Sequence, residues 1–333
     1  MEQRSLGSLT VSIAGLGTNN FGMRIGHAAS LEVIRAAYDA GVTFFDTADV
    51  YSGGKSEAWL AEALGAARND VVFGTKFGWY EGAAPASARV AIEGSLRRLD
   101  VECVGVLYCH RPDPNVPLAE TIGAMGELVA EGKVREIGCS NVTGGDVDGW
   151  VATAAKIGVR APACVEDQYN AVFRKPERDL IPACERHGMT FVPFFPLASG
   201  LLTGKYLLGA VPDPASRLYW GLERVAAETG RTIEELTADP AEALRTSMNW
   251  HPHERYEVDL EIVAGLDSLA RASGRTMTEL ALGWLAAQPA VPTIIAGATT
   301  VEQARVNARA SACRLTAEGV AAVSSISRSS LLL

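Results

Sequence analysis

VVFGTK at residues 71–76 and CVGVLYCH at residues 103–110 are short, continuously apolar runs separated by a longer segment with helical spacing. An alternating pattern would leave one strand face in water. An uninterrupted run predicts a strand covered on both faces, as in a parallel sheet. The same kind of run recurs as SIAGLG, VTFFD, VREIGCS, ACVEDQ, TFVPFFPL and VPTIIAG, and the eight end near residues 17, 46, 76, 110, 140, 168, 197 and 296. The first seven ends are 28 to 34 residues apart, the size of one strand–helix unit. Between runs, Leu118, Ile122, Met125 and Val129 share one helical face, and Gly132 is placed to cap its end. Thr276 with Glu279 forms a capping box ahead of Leu280 and Trp284. Eight units in one repeating order predict a closed (β/α)8 TIM barrel rather than an open doubly wound sheet, with residues 1–333 as one domain.

The last interval is the exception, spanning 99 residues from Leu197 to Ala296. One further unit and an extra helix account for part of it. Residues 212–256 are too long for a plain connection and read as a lid or insertion on the C-terminal side. The rings of Tyr219, Trp220 and Trp250 favour a packed lid.

Composition excludes several classes. Of 333 residues, 48% are hydrophobic and 21% charged, which suits a globular chain and not a disordered one. A net charge of −9 with no Lys/Arg run argues against nucleic acid or an anionic membrane as partner. The start MEQRSLGSL has no apolar leader core. Residues 280–301 carry no charge over a membrane-spanning length, but Gln288, Pro289, Pro292 and Gly297 interrupt them, so they read as helix, turn and buried strand. The six cysteines show neither CxxC nor Cys/His ligand spacing, as expected of reduced thiols in a cytoplasmic protein. In that setting the sequon Asn141-Val142-Thr143 carries no meaning. His251 and His253 form at most a weak metal pair, and a solvated loop is the commoner reading, so no metal is expected.

In such a barrel the site lies at the C-terminal ends of the strands. Asp46 ends the second run, with Tyr51 five residues later; Lys76 ends the third, His110 the fourth, and Ser140 and Asn141 the fifth. Singly, an Asp there is often a helix cap and a Tyr mere packing. Together, a carboxylate, a phenol, an ammonium and an imidazole converge on one mouth. No Ser-His-Asp spacing, G-x-S-x-G or metal-ligand set supports hydrolysis. A Tyr beside a Lys suggests a proton donor whose pKa the cation lowers, with Asp46 holding Lys76 and His110 polarising a carbonyl. Such a site reduces C=O and needs a hydride source. Gly15-Leu-Gly17-Thr-Asn-Asn20 starts like a dinucleotide fingerprint but has Asn at the third glycine, so it is a poor match to the Rossmann pattern.

The chain resembles the aldo-keto reductases. VSIAGLGTNNFG, FFDTADVY, GTKFG, YCHRPDP, IGCSN, FPLASGLLTGKY and IAGATTVEQARVN stand in that family's order from about residue 4 to 310. The resemblance implies the same barrel, opened by an N-terminal β-hairpin, with Asp46, Tyr51, Lys76 and His110 as the catalytic tetrad. It implies nicotinamide contacts from Gly17, Thr18, Asn19, Asp46, Ser140, Asn141 and the Phe194 ring. It places Leu197, Ser199, Gly200, Leu201 and Lys205 around a pyrophosphate, and Gly297, Ala298, Thr299, Gln303 and Asn307 around an adenosine. Two departures stand out. Glu166 occupies the position where the family has Gln three residues before Tyr169, and is carried over as a carboxamide acceptor. Thr299 stands where many members have Arg, which narrows the expected preference for NADPH (NADP+) over NADH. Trp79, Tyr80, Arg111, Trp220 and Trp250 are expected to shape a bulky carbonyl or sugar site. The expected function is NADPH-dependent reduction of an aldehyde or ketone, with Tyr51 as proton donor. The alternatives are an NAD(P)-dependent sugar or alcohol dehydrogenase working oxidatively, and a nucleotide-binding regulatory subunit of the same fold.

Overall fold

The computed structural model describes residues 1–206, 212–214, 216–239, 243 and 256–332. Eight parallel strands form one sheet: β3 (Ala14–Gly17), β4 (Phe44–Asp46), β5 (Val72–Phe77), β6 (Val104–Cys109), β7 (Val134–Ser140), β8 (Cys164–Gln168), β9 (Thr190–Phe194) and β10 (Ile294–Gly297). From β3 to β9 each pairs with the next, and β10 pairs with β3, with Ile294–Gly297 in register with Ala14–Gly17. Phe191 of β9 donates its N–H to Ala290, just ahead of β10, at 2.8 Å, which brings the two ends of the sheet together. The result is a nearly closed (β/α)8 barrel. Every residue of β3 and β6 is buried, which is why their sequences run apolar without alternation.

Helices α1 (His27–Asp39), α2 (Lys55–Leu64), α3 (Pro85–Leu99), α4 (Leu118–Ala130), α5 (Gly144–Ile157) and α6 (Leu180–Arg186) fill the first six crossovers. The expected Leu118 face forms α4, and Gly132 follows its last turn at φ +74°. After β9 come α7 (Arg217–Thr229), α8 (Ile233–Thr237), α9 (Tyr256–Ser273) and α10 (Met277–Ala286). The Thr276/Glu279 capping box opens α10 as its sequence predicts. Past β10 lie α11 (Val301–Ser311) and α12 (Ala317–Ile326). Thus α7 and α8 occupy part of the expected 212–256 lid, while Trp250 lies outside the described residues. None of the described helices is long and apolar enough to cross a membrane.

The antiparallel hairpin β1 (Gln3–Leu6) and β2 (Leu9–Ser12) turns at Gly7, φ +56°. Its buried Leu6, Leu9 and Val11 pack inside the barrel against Phe44, Val106, Tyr108, Cys164, Val192 and Ile295. Ser8 donates its N–H to Glu136 Oε1 at 2.7 Å, tying the hairpin to the start of β7 and closing the N-terminal end of the barrel. Within the interior, a Cβ on Gly138 would stand 2.6 Å from a Tyr108 ring carbon. Overpacking of this kind costs about 1–3 kcal/mol, so Gly138→Ala is expected to lower the Tm by several degrees, as a thermal melt would show.

Candidate active site

The strand ends place the expected tetrad at one floor. Lys76, 1% exposed, comes off β5 with its ammonium inside the barrel. Its Nζ donates to Asp46 Oδ1 at 2.5 Å and to the Thr47 carbonyl at 2.9 Å, and lies 3.3 Å from Glu166 Oε1. Tyr51 begins a one-turn helix (Tyr51–Gly54) after β4, its ring centre 5.4 Å from Lys76 Nζ and 6.1 Å from the His110 ring. The Trp79 ring stands 4.6 Å from His110 on the other side. Behind Asp46, a hydroxyl chain fixes the backbone: Thr18 Oγ1 donates to the Asp46 carbonyl at 2.8 Å, and Ser56 links Thr18 to Thr47.

The electrostatics follow from burial. Desolvation opposes the charge of Lys76, yet Asp46, Glu166 and Tyr51 together outweigh it and hold its pKa above the ordinary value. Burial also raises Asp46 against the pull of Lys76. Glu166 is raised well above the ordinary carboxylate value, by burial and then by the neighbouring Asp46. Burial, helped by the Lys76 and Arg111 charges, holds His110 down to about 3, so its ring is neutral at physiological pH. The lowered phenol pKa expected of Tyr51 is not found. Lys76 does pull it down, but burial is the larger effect and Asp46 and Glu166 add to it, so Tyr51 holds its proton more firmly than a free phenol.

Above this floor lies a cavity of about 870 Å³. Asp46, Tyr51 and His110 line it, as do Gly17, Thr18, Asn19, Ser140, Asn141, Glu166, Phe194, Leu197, Ser199, Gly200, Lys205, Gly297, Thr299, Gln303 and Asn307. Lys76 lies beneath it, and Leu201 and Ala298 are buried in the hydrophobic core. Trp79 and Tyr80 line the cavity mouth. Arg111 is not among the lining residues and stacks on Trp79 at 5.4 Å. Trp220 is not a lining residue either: α7 buries Leu218, Gly221, Leu222 and Val225, leaving Trp220 43% exposed. The residue of α7 that lines the cavity is Arg217.

Two cations were missed in the sequence, Arg24 and Arg217, which join Lys205 in the lining. Burial lowers the pKa of all three, and the charge of Arg24 adds to the lowering at Lys205 and at Arg217, which comes down to about 10. An anion between them would relieve that repulsion. Gly200, at φ +98°, gives Lys205 its path, since a Cβ there would meet the lysine chain at 2.5 Å. Among the described residues, Ser52, Asn141, Phe195 and Ser199 line the cavity with positive φ, and such strain gathers at working sites. Asn20 Oδ1, His110 Nδ1, Glu166 Oε2, Gln168 Nε2 and Ser199 Oγ are buried there without a hydrogen-bond partner. Buried polar atoms normally have partners, so these fit a long polar ligand with an anionic centre. No cluster of three or more metal-ligating side chains occurs among the described residues, and His251 and His253 lie outside them.

The fold and site define a (β/α)8-barrel protein with a cation-lined cavity at the C-terminal ends of its strands. The sequence model of the aldo/keto reductase family matches residues 14–328. A protein of Arabidopsis thaliana named "Probable voltage-gated potassium channel subunit beta" is 31% identical over 324 residues, covering 93% of this chain and 91% of its own. One of the same name from Oryza sativa subsp. japonica is 30% identical with the same coverage. A "Putative voltage-gated potassium channel subunit beta" of Schizosaccharomyces pombe is 32% identical over 83% of this chain and 77% of its own. The chain belongs to the aldo/keto reductase family.

Proposed function

We propose that the protein is an NADPH-dependent carbonyl oxidoreductase that reduces an aldehyde or ketone, with Tyr51 as proton donor. The observation that carries this reading is Lys76, held on Asp46 beneath the Tyr51 phenol and beside a neutral His110, at the floor of an open cavity. A reduced nicotinamide nucleotide would supply the hydride. Ser140, Asn141 and Glu166 would hold its carboxamide, and Phe194 would face its ring. Lys205 and Arg217 would take the diphosphate. Thr299, Gln303 and Asn307 would meet the adenosine end.

The carbonyl oxygen would sit between the Tyr51 hydroxyl and the His110 ring, which polarise it. As hydride arrives at carbon, the oxygen becomes an alkoxide, a stronger base than the phenolate, and takes the Tyr51 proton. Lys76 then stabilises the phenolate, and Asp46 keeps Lys76 in place. Trp79 and Tyr80 at the mouth favour a bulky or cyclic carbonyl. The test is nucleotide oxidation against a panel of aldehydes, ketones and sugars. Turnover supports the reading, and its absence across the panel sinks it. The relatives' names favour a second reading, a nucleotide-binding regulatory subunit, for which the nucleotide binds without turnover.

Cofactor choice rests on Thr299. Its N–H and Oγ1 both donate to Gln303 Oε1, at 2.8 and 3.0 Å, ahead of the first turn of α11. A hydroxyl there offers a 2′-phosphate one hydrogen bond, whereas Arg offers a charged fork. Charge-assisted contacts contribute about 1.5–3 kcal/mol. Thr299→Arg is therefore expected to sharpen the preference for NADPH over NADH by roughly ten- to a hundredfold. Titration of both proteins with both reduced nucleotides measures this, and no gain for NADPH would remove Thr299 from the phosphate site.

A further inference from the structure

Glu166 brings a second carboxyl to a lysine that needs only one. It projects from β8, 3% exposed, with Oε1 on Lys76 and Oε2 without a partner in the wall of the cavity. A Gln here would offer the same shape and no charge. Glu166 therefore adds an ionisable group where the nicotinamide is proposed to lie. That ring is a cation when oxidised and neutral when reduced.

We propose that Glu166 makes the site discriminate between the two redox states of its nucleotide: its buried carboxyl releases a proton to solvent when the oxidised form binds and keeps it when the reduced form binds. The inference rests on the nucleotide reading above and applies equally to an enzyme and to a regulatory subunit.

The groups facing Glu166 explain the direction. Asp46 on β4 repels its charge, and Lys76 on β5 attracts it. Tyr51 and Tyr108 are neutral near it, as is Cys164 on its own strand. The adjoining strands present Ser140 and Val192 in register, neither of which titrates. Asp46 and Glu166 thus share one ammonium, and the Asp46 charge makes ionisation of Glu166 costly. A second cation, the oxidised ring, alters that balance, because a positive charge within about 4–6 Å lowers a carboxyl pKa by about 1–3 units. The Glu166 pKa, raised in the free protein, then falls in the oxidised complex. Between those two values the oxidised form must displace a proton, so its affinity rises with pH by up to about tenfold per unit. The reduced form exerts no such pull. In carbonyl reduction the oxidised product would be retained more tightly as pH rises.

The experiment measures dissociation constants of NADP+ and NADPH by calorimetry between pH 6 and 9, for the wild type and Glu166→Gln. Titration of the 2′-phosphate affects both nucleotides and cancels in their ratio. Asp49 and Asp167, pushed up to about 6, do not line the cavity and act on both alike. In the wild type the ratio should swing towards NADP+ with rising pH, by tenfold or more over the range. In Glu166→Gln it should stay flat. Independently, an indicator dye in weakly buffered solution should record proton release when wild-type protein binds NADP+ and none with NADPH. Equal pH dependence of the two nucleotides, or a slope that survives in Glu166→Gln, overturns the proposal alone. Failure of both nucleotides to bind overturns it together with the functional reading.

Discussion

Tyr51→Phe is expected to lower turnover by about 10²–10⁴-fold, the usual worth of general acid catalysis, while nucleotide affinity stays nearly constant. The change removes one hydroxyl and keeps the ring that stands edge-on to His110. Packing is therefore preserved, and the loss falls on the chemical step. Because burial keeps the Tyr51 proton in place, no ionised form of the phenol accumulates before the carbonyl arrives. Steady-state turnover combined with fluorescence titration of the nucleotide separates the two effects. Near-normal turnover would remove Tyr51 from the role of acid.

Lys76→Met is expected to lower turnover on a similar scale and, unlike Tyr51→Phe, to weaken the fold. With the ammonium gone, Asp46 and Glu166 remain buried together without a cation. Breaking a buried pair costs about 3–5 kcal/mol where the remaining charge cannot protonate. Protonation relieves part of this cost, which fixes the pH dependence. Without Lys76 both carboxyls have folded-state pKa values still further above their unfolded ones, so the folded variant binds more protons than the unfolded chain. Its stability is fullest at acid pH and is lost as pH rises through the folded values. The gap in Tm between wild type and variant should therefore be smaller at pH 5 than at pH 8, as melts at both values will measure. Combining Lys76→Met with Tyr51→Phe should cost little more turnover than Tyr51→Phe alone, since the two act as a unit. Full multiplication of the two losses would rule out coupling.

The barrel was readable because parallel strands buried on both faces leave an unbroken apolar signature, and Gly17, Asp46, Ser140 and Gln168 do end strands. The reading overran at TFVPFFPL. Its strand stops at Phe194, where Phe195, at φ +49°, turns the chain out of the sheet and into the cavity wall. Asp46, Lys76 and His110 were readable as polar residues closing apolar runs. Arg24 and Arg217 were not, because Arg24 lies in a loop and Arg217 opens a helix that a loop delivers, and no periodicity records where a loop folds. The family's mouth loops point to Trp220 as a substrate contact, whereas the helical face that holds it leaves it 43% exposed and out of the cavity lining. The rise in the Tyr51 pKa is not legible in the sequence, which gives the neighbouring cation but not the depth of burial that outweighs it.

Among the described residues, the hairpin plugs one end of the barrel. Leu6, Leu9 and Val11 are buried across that end, so the ammonium of Lys76 and the carboxyls beside it face bulk water through the mouth, past whatever fills it. Isotope exchange at these buried groups is thereby clocked by the comings and goings of the occupant. In deuterated solvent, the time for label to reach Lys76 becomes a measure of how long the mouth stays blocked.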